Sequence, residues 1–250
     1  MGGTRLGGRR RRRDGPSRRT RQDKRPSAPP YVKRRIPFFS FADEEALVRL
    51  EDQADWLIQE IGLEFRDDEE ALRIWREAGA DVEGTRVKAP RGMIRELCRT
   101  APAEFTQRAR NPERSVRIGG SNQVFAPIYG APFVRDLEGG RRYATIEDFQ
   151  NFVKLAYMTP ALHHSGGTVC EPVDVPVNKR HLDMVYSHLR YSDKPCMGSV
   201  TAPERAEDSV ALAKIAFGEE FVDDNTVLIN LINVNSPMTF DATMLGALKA

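Results

Sequence analysis

The chain has 250 residues, 40% of them apolar and 30% charged, with 38 Lys and Arg against 36 Asp and Glu. That length can bury a substantial core as one large or two small domains. Its longest apolar stretches, such as 227–232, are strand-length and far below the ~20 residues of a membrane helix, so no span is expected.

The near-neutral balance hides an asymmetry. Residues 1–35 hold 14 Lys and Arg but only Asp14 and Asp23, a net +12 that leaves the remainder at −10. The run "RRRRRDGPSRRTRQDKRPSAPP" has little apolar content and much Pro, and cannot repay the entropy of ordering, so 1–35 is expected to be a disordered basic arm. Such an arm can hold nucleic acid through salt-sensitive phosphate contacts. A solvated tail is the preferred reading, and nucleic-acid binding is not expected. The arm lacks the apolar core of a secretory signal, which makes the cytoplasm the default location. Cys98, Cys170 and Cys196 are odd in number and without C-x-x-C spacing, a pattern that fits a reducing compartment.

From Asp43 to Ile61 the apolar positions Leu47, Leu50, Ala54, Leu57, Ile58 and Ile61 recur at three and four residues, with acids in the first turn, and predict an amphipathic helix. Further helices are expected over about 68–78 and 90–99, with a short hairpin in "ADVEGTRVKAP" between them. Residues 36–114 thus read as a helical N-terminal subdomain. Beyond 115 the β-type runs "QVFAPIY", "ALHHSGGTV", "KPCMGSV" and "TVLINLI" alternate with helices over roughly 145–157, 178–190, 203–217 and 238 onward. Their spacing is that of βαβ units, which predicts a parallel sheet and an α/β fold. No G-x-G-x-x-G follows the first run, so a TIM (βα)8-type barrel is favoured over a dinucleotide fold, with about its first half in residues 115–250. Ser236 and Pro237 read as N-cap and N1 of the last helix, whose pattern is still running at Ala250 and suggests a truncated barrel.

If the four runs are parallel, the loops "YGAPF", "SGGTVCEP", "GSVTAP" and "NVNSP" share one face, where barrel enzymes place their sites. The stretch "HHSGGTVCEP" is dense in chemistry. His163, His164, Cys170 and Glu171 are legitimate zinc ligands, but adjacent strand residues point to opposite faces, so the two histidines cannot share a site. Cys170 lacks an evident base and reads as a small buried apolar residue. Glu171, held between Cys170 and Pro172, is the candidate for catalysis, either facing a cation or in acid–base chemistry; a salt bridge to a nearby helix is the competing role. Asn230, Asn233 and Asn235 alternate and are expected on one face, lining a polar pocket or satisfying one another. Tyr129 and Phe133 can offer π faces to an onium group, though core packing is the commoner fate of an aromatic.

The stretches "VFAPIYGAPFVRDLEGGRRYATIEDFQNFVKLA", "ALHHSGGTVCEPVDVPVNKRHLDM", "RYSDKPCMGSVTAPERAEDSV" and "DDNTVLINLINVNSPMTFDATML", with "IGLEFRDDEEALRIWREAGADVEG" before them, resemble the trimethylamine methyltransferase family of corrinoid-dependent methyltransferases. The resemblance runs from about residue 30 to the end and covers the N-terminal half of the family's length. It implies a TIM-barrel enzyme that moves a methyl group from trimethylamine or a quaternary amine of the glycine betaine type to the Co(I) of a separate corrinoid protein. It implies no directly bound cofactor, a cognate corrinoid protein as partner, and a homo-oligomer. The pyrrolysine that marks the trimethylamine branch would lie past residue 250. Read with the loops, this points to Glu171, Tyr129, Asn233, Asn235 and His164 as the residues around a methylated amine. The alternatives are a non-catalytic truncated fragment of such an enzyme, and a metal-dependent barrel lyase or hydrolase using His164 and Glu171.

Overall fold

A computed structural model describes residues 29–250. The expected basic arm therefore falls, over 1–28, outside the described residues. Its last part is not loose: strand β1 (Val32–Lys33) pairs antiparallel with β7 (Asn122–Gln123), and the Arg34 amide donates to Ser121 O at 2.8 Å. The arm boundary at 35 is corrected accordingly.

The expected helices form where a cap meets an apolar period. Asp43 accepts from the Ala46 amide ahead of α1 (Glu44–Trp56), which continues as a π-helical turn, Leu57–Ile61. Asp68 accepts from the Ala71 amide ahead of α2 (Glu69–Glu77). These side-chain oxygens satisfy donors that the first helical turn leaves free, each stabilising by about 1 kcal/mol. The third helix, α3 (Met93–Cys98), is shorter than expected.

The reading of 36–114 as a helical subdomain is corrected by its strands. The expected hairpin is present as β3 (Asp81–Glu83) and β4 (Arg86–Lys88), and β4 also pairs with β2 (Leu63–Phe65). A parallel strand from the far end of the chain, β12 (Thr239–Phe240), completes the sheet β12-β2-β4-β3. Phe65, Leu72, Val87 and Leu245 form a core beneath it, with Phe65 and Phe240 rings stacked at 4.9 Å. A second sheet, β1-β7-β6-β5, is built on the hairpin β5 (Glu104–Gln107) and β6 (Val116–Gly119).

Past residue 130 the chain forms an unexpected hairpin, β8 (Phe133–Asp136) and β9 (Gly140–Tyr143), and then α4 (Ile146–Met158). Thr145 and Asp148 close a capping box at the start of α4, and Arg142 binds the same Asp148 carboxylate at 2.5 and 2.7 Å. Phe149 and Val153 pack into a second core with Val134, Val169, Cys170 and Met184, the last from α5 (Val177–Tyr191).

Four segments expected as strands lie side by side and run in the same direction. The His163 and His164 amides both donate to Phe125 O, at 2.9 and 3.1 Å, and further along Gly130 donates to Thr168 O at 2.7 Å. Ser165 donates to Pro195 O and Met197 to Gly166 O, at 2.8 and 2.9 Å. β10 (Cys196–Met197) then pairs parallel with β11 (Leu228–Ile229). Only this last pair is a regular ladder; around 125 and 163 the segments form none, and the Phe125 amide donates to the His163 ring instead of to a carbonyl. Helices α6 (Pro203–Phe217) and α7 (Glu219–Asp224) connect β10 to β11. The fold is mixed α/β with several small sheets, and among the described residues no sheet closes into a barrel.

The last helix is corrected too. It is α8 (Ala242–Lys249), capped by Asp241, which accepts from Met244 at 2.9 Å; Ser236 and Pro237 lie in the loop before β12 and cap nothing. Among the described residues no helix is long and apolar enough to cross a membrane.

Candidate active site

Because the four segments are parallel, the stretches that follow them emerge at one end. Tyr129, Gly167 and Met197 meet there. A Cβ added at Gly167 would lie 2.8 Å from the Tyr129 ring and 3.0 Å from Met197, so only glycine lets the three loops approach this closely. Gly166 beside it has φ +90°, a left-handed conformation that turns the chain out of the extended segment.

A ladder of uncharged dipoles lies beneath this turn. The Gln107 side chain donates to Cys196 O and Val227 O, at 2.8 and 3.2 Å, which leaves its oxygen to face the His164 Nε2 at 3.1 Å. The Gly166 amide donates to His164 Nδ1 at 2.9 Å, so Nε2 carries the proton and donates to Gln107. His188 on α5 has the same tautomer: Nδ1 accepts from the Ser165 hydroxyl at 2.7 Å, and Nε2 donates to Gly167 O at 2.8 Å. Burial pushes His164 down to about 3, with a further contribution from His188. It pushes His188 down to about 4, against the opposing pull of the Gly167 carbonyl. Both imidazoles are neutral throughout the physiological range.

His163 points the other way, accepting from the Phe125 amide at 3.0 Å and stacking on the Phe125 ring. Behind it the Lys194 ammonium donates to Ala156 O, Thr159 O and Leu162 O, three carbonyls around the C-terminus of α4. The two adjacent histidines thus serve separate surroundings. Both His164 ring nitrogens are engaged within the ladder, and it does not meet Glu171 to form a metal-binding pair. Cys170 lies in the apolar core, and burial pushes its thiol up to about 12.

The other expected site residues are more exposed. Glu171 forms an ion pair with Arg180 on α5 at 2.5 Å, the salt bridge weighed as its competing role, and its side chain remains 50% exposed. Tyr129 is half exposed against Gly167. The expected asparagine face is corrected: β11 ends at Ile229, so Asn230, Asn233 and Asn235 do not share a strand. Asn230 lies against Gly198, and Asn235 donates to Asp241 at 2.8 Å in the turn before β12. Among the described residues Asn233 makes no side-chain hydrogen bond, and none of Tyr129, His164, Glu171, Asn233 and Asn235 bonds to another. Gln107, His188 and Lys194 are not among the site residues expected from the sequence; their partners lie 21 to 120 positions away, beyond any local signal.

A family model described as trimethylamine methyltransferase matches residues 5–250. A glycine betaine methyltransferase from Desulfitobacterium hafniense (strain Y51) is 45% identical over 216 residues, which is 86% of this chain and 45% of that protein. A proline betaine:corrinoid methyltransferase from Eubacterium limosum is 26% identical over 228 residues, 86% of this chain and 45% of that protein. An L-carnitine:corrinoid methyltransferase from the same organism is 26% identical over 194 residues, 73% of this chain and 39% of that protein. The chain spans less than half the length of these relatives.

Proposed function

The chain belongs to the trimethylamine methyltransferase family, and from that premise we propose that it supplies the substrate-orienting half of a methyltransferase acting on a quaternary amine, with a corrinoid protein as methyl acceptor. The likeness at 45% identity to a glycine betaine methyltransferase carries this reading. The more distant relatives are named for proline betaine and carnitine, which share the same chemistry of a quaternary ammonium with a carboxylate. On this reading the four parallel segments are the first strands of a TIM (βα)8 barrel over 115–250, and the substrate sits where their loops converge.

The corrinoid, held by its own protein, supplies the nucleophile. The work left to this chain is to bind the cation and aim one N-methyl group outward. No proton need move, because a quaternary nitrogen leaves as a neutral amine, and positioning is the main contribution. In this reading the Tyr129 ring offers its π face to the onium group. Glu171 contributes negative potential at the loop end, shared with Arg180, and the neutral His164 ladder holds Gly166 and Gly167 in place without adding a repelling charge. Asn233 and Asn235 lie on the loop after β11 and provide amide groups toward a substrate carboxylate.

The protein, a corrinoid protein reduced to Co(I), and glycine betaine, proline betaine, carnitine or trimethylamine are mixed, and demethylated amine is followed by mass spectrometry. The expected result is product from one or more of the zwitterions, dependent on both proteins; no product across the panel refutes the reading.

A further inference from the structure

Met197 stands at the level where the loops converge, half-buried beside Gly167 and Tyr129. The strand around it alternates. Cys196 is buried, and a Cβ added at Gly198 would lie 3.1 Å from the Ser209 Cβ on α6, so the helix layer covers the face that those two residues share. Met197, between them, points away from the helices. There it folds back over Gly167: its Cβ and Sδ would lie 3.0 and 3.2 Å from a Cβ at that position, and the Tyr129 Cε2 2.8 Å from the same point. The sulfur is therefore within about 6 Å of the Tyr129 ring edge, the range of a sulfur–aromatic contact. On its other side Met197 is in register with Ile229 of the parallel strand β11, and the two side chains share a face.

Tyr129, Gly167, Met197 and Ile229 thus make a row across the four segments. The bonds from Gly130 to Thr168 O and from Met197 to Gly166 O, with the β10–β11 register, hold them level. The row presents a π face, a polarisable thioether and an alkyl group, and no ionised side chain. Its capacity to accept hydrogen bonds is small, because a thioether sulfur is a weak acceptor and the phenolic oxygen lies at the far end of the Tyr129 ring.

We propose that Met197 is the specificity-determining residue of this site, admitting a head group without N–H bonds and penalising one that carries them. The assignment rests on the binding of a quaternary amine at the loop end. A quaternary ammonium presents only methyl groups, so it gives up no hydrogen bond on settling against sulfur and ring, and is attracted by both. A protonated tertiary amine carries one N–H, which leaves water and meets a thioether. A donor left so weakly paired lowers affinity by about tenfold or more.

Calorimetry at neutral pH with tetramethylammonium and trimethylammonium chlorides, ions that differ by a methyl group against an N–H, reads this selectivity; glycine betaine is titrated alongside. The wild type should bind tetramethylammonium about tenfold more tightly. Met197→Gln keeps the length of the side chain and adds a carbonyl acceptor, and should move the ratio of the two affinities about tenfold toward trimethylammonium. Met197→Leu, apolar and of similar volume, should leave the ratio within about twofold of the wild type. A side chain that only packed would change both affinities together and leave their ratio where it was. If Met197→Gln fails to fold, Met197→Thr brings a hydroxyl acceptor to the same place and should shift the ratio in the same sense. Equal affinities of the wild type for the two ions, a ratio unmoved by the added acceptor, or an equal shift in Met197→Leu would each overturn the assignment while binding of glycine betaine stands. Failure of glycine betaine and of both ions to bind would defeat the underlying reading and the assignment with it.

Discussion

Mild acid should destabilise the protein through two buried histidines. In the unfolded chain a histidine titrates near 6.5, whereas burial holds His164 at about 3 and His188 at about 4 in the folded state. A base whose pKa is depressed by folding contributes stability that is present above the unfolded value and is lost as pH falls toward the folded value, because the unfolded chain takes up the protons first. Between pH 7.5 and 5.5 the unfolded state gains about 1.4 kcal/mol per histidine, or about 3 kcal/mol for the pair. At ~2–4 °C per kcal/mol for a chain of this size, Tm should fall by about 6–12 °C. The window lies above the range where carboxylates such as Asp148, held low by Arg142, take up protons. Thermal denaturation followed by circular dichroism measures the shift. The variant His188→Gln should be less stable at pH 7.5, having lost the Ser165 and Gly167 bonds, yet lose about 1.4 kcal/mol less on acidification than the wild type. A Tm equal at the two pH values, or a full acid shift surviving in His188→Gln, would refute the neutral-ladder argument.

Lys194→Met removes the donor to Ala156 O, Thr159 O and Leu162 O and should lower stability by about 2–4 kcal/mol, read from the urea midpoint. Gly167→Ala places a methyl group 2.8 Å from the Tyr129 ring; glycine betaine affinity by calorimetry should fall roughly tenfold while the fold loses only about 1–2 kcal/mol. Glu171→Gln breaks a half-exposed ion pair and should change stability by less than about 1 kcal/mol, so a drop in affinity for the quaternary amine reports on the substrate; unchanged affinity confines Glu171 to its pair with Arg180.

What the sequence makes legible follows the range of the forces involved. Caps and apolar periods act within a few residues, and the helices that begin after Asp43, Asp68 and Thr145 lie where those signals put them. The sequence pattern puts the start of helix α8 too early because Pro237 mimics a first-turn proline, while Asp241 does the capping. The hairpin Phe133–Tyr143 was hidden because its pairing sets Arg135 opposite Arg141, a charge pattern that reads as loop; Arg141 over the Phe133 ring at 3.9 Å and the Asp136–Arg142–Asp148 ion network hold it. The run "ALHHSGGTV" has strand composition, but its imidazole takes the Phe125 amide that a ladder would need. At the site, strand alternation predicted that His163 and His164 part company, and they do. It misled at Asn230–Asn235, where β11 ends before the alternation begins.

The chemistry proposed for the loop end accounts for one feature that local sequence cannot: why a stretch so rich in titratable groups keeps so few of them charged. A bound onium group is repelled by any imidazolium nearby, and at the ~4–6 Å over which neighbouring charges act such repulsion is strong in a partly dry site. Gln107 fixes the His164 tautomer from one side and Gly166 from the other, and Ser165 with Gly167 does the same for His188, so both rings are satisfied as neutral species. Protonating His164 would turn its one acceptor nitrogen into a second donor facing the Gly166 N–H, and protonating His188 would force the Ser165 hydroxyl to reverse and accept. The ladder therefore fixes the turn at Gly166 and Gly167, against which Tyr129 rests, while leaving the Glu171–Arg180 pair to set the local charge. Substituting His164 by Lys or Arg would restore a charge without restoring the bonds, and on this argument it harms cation binding more than His164→Gln does.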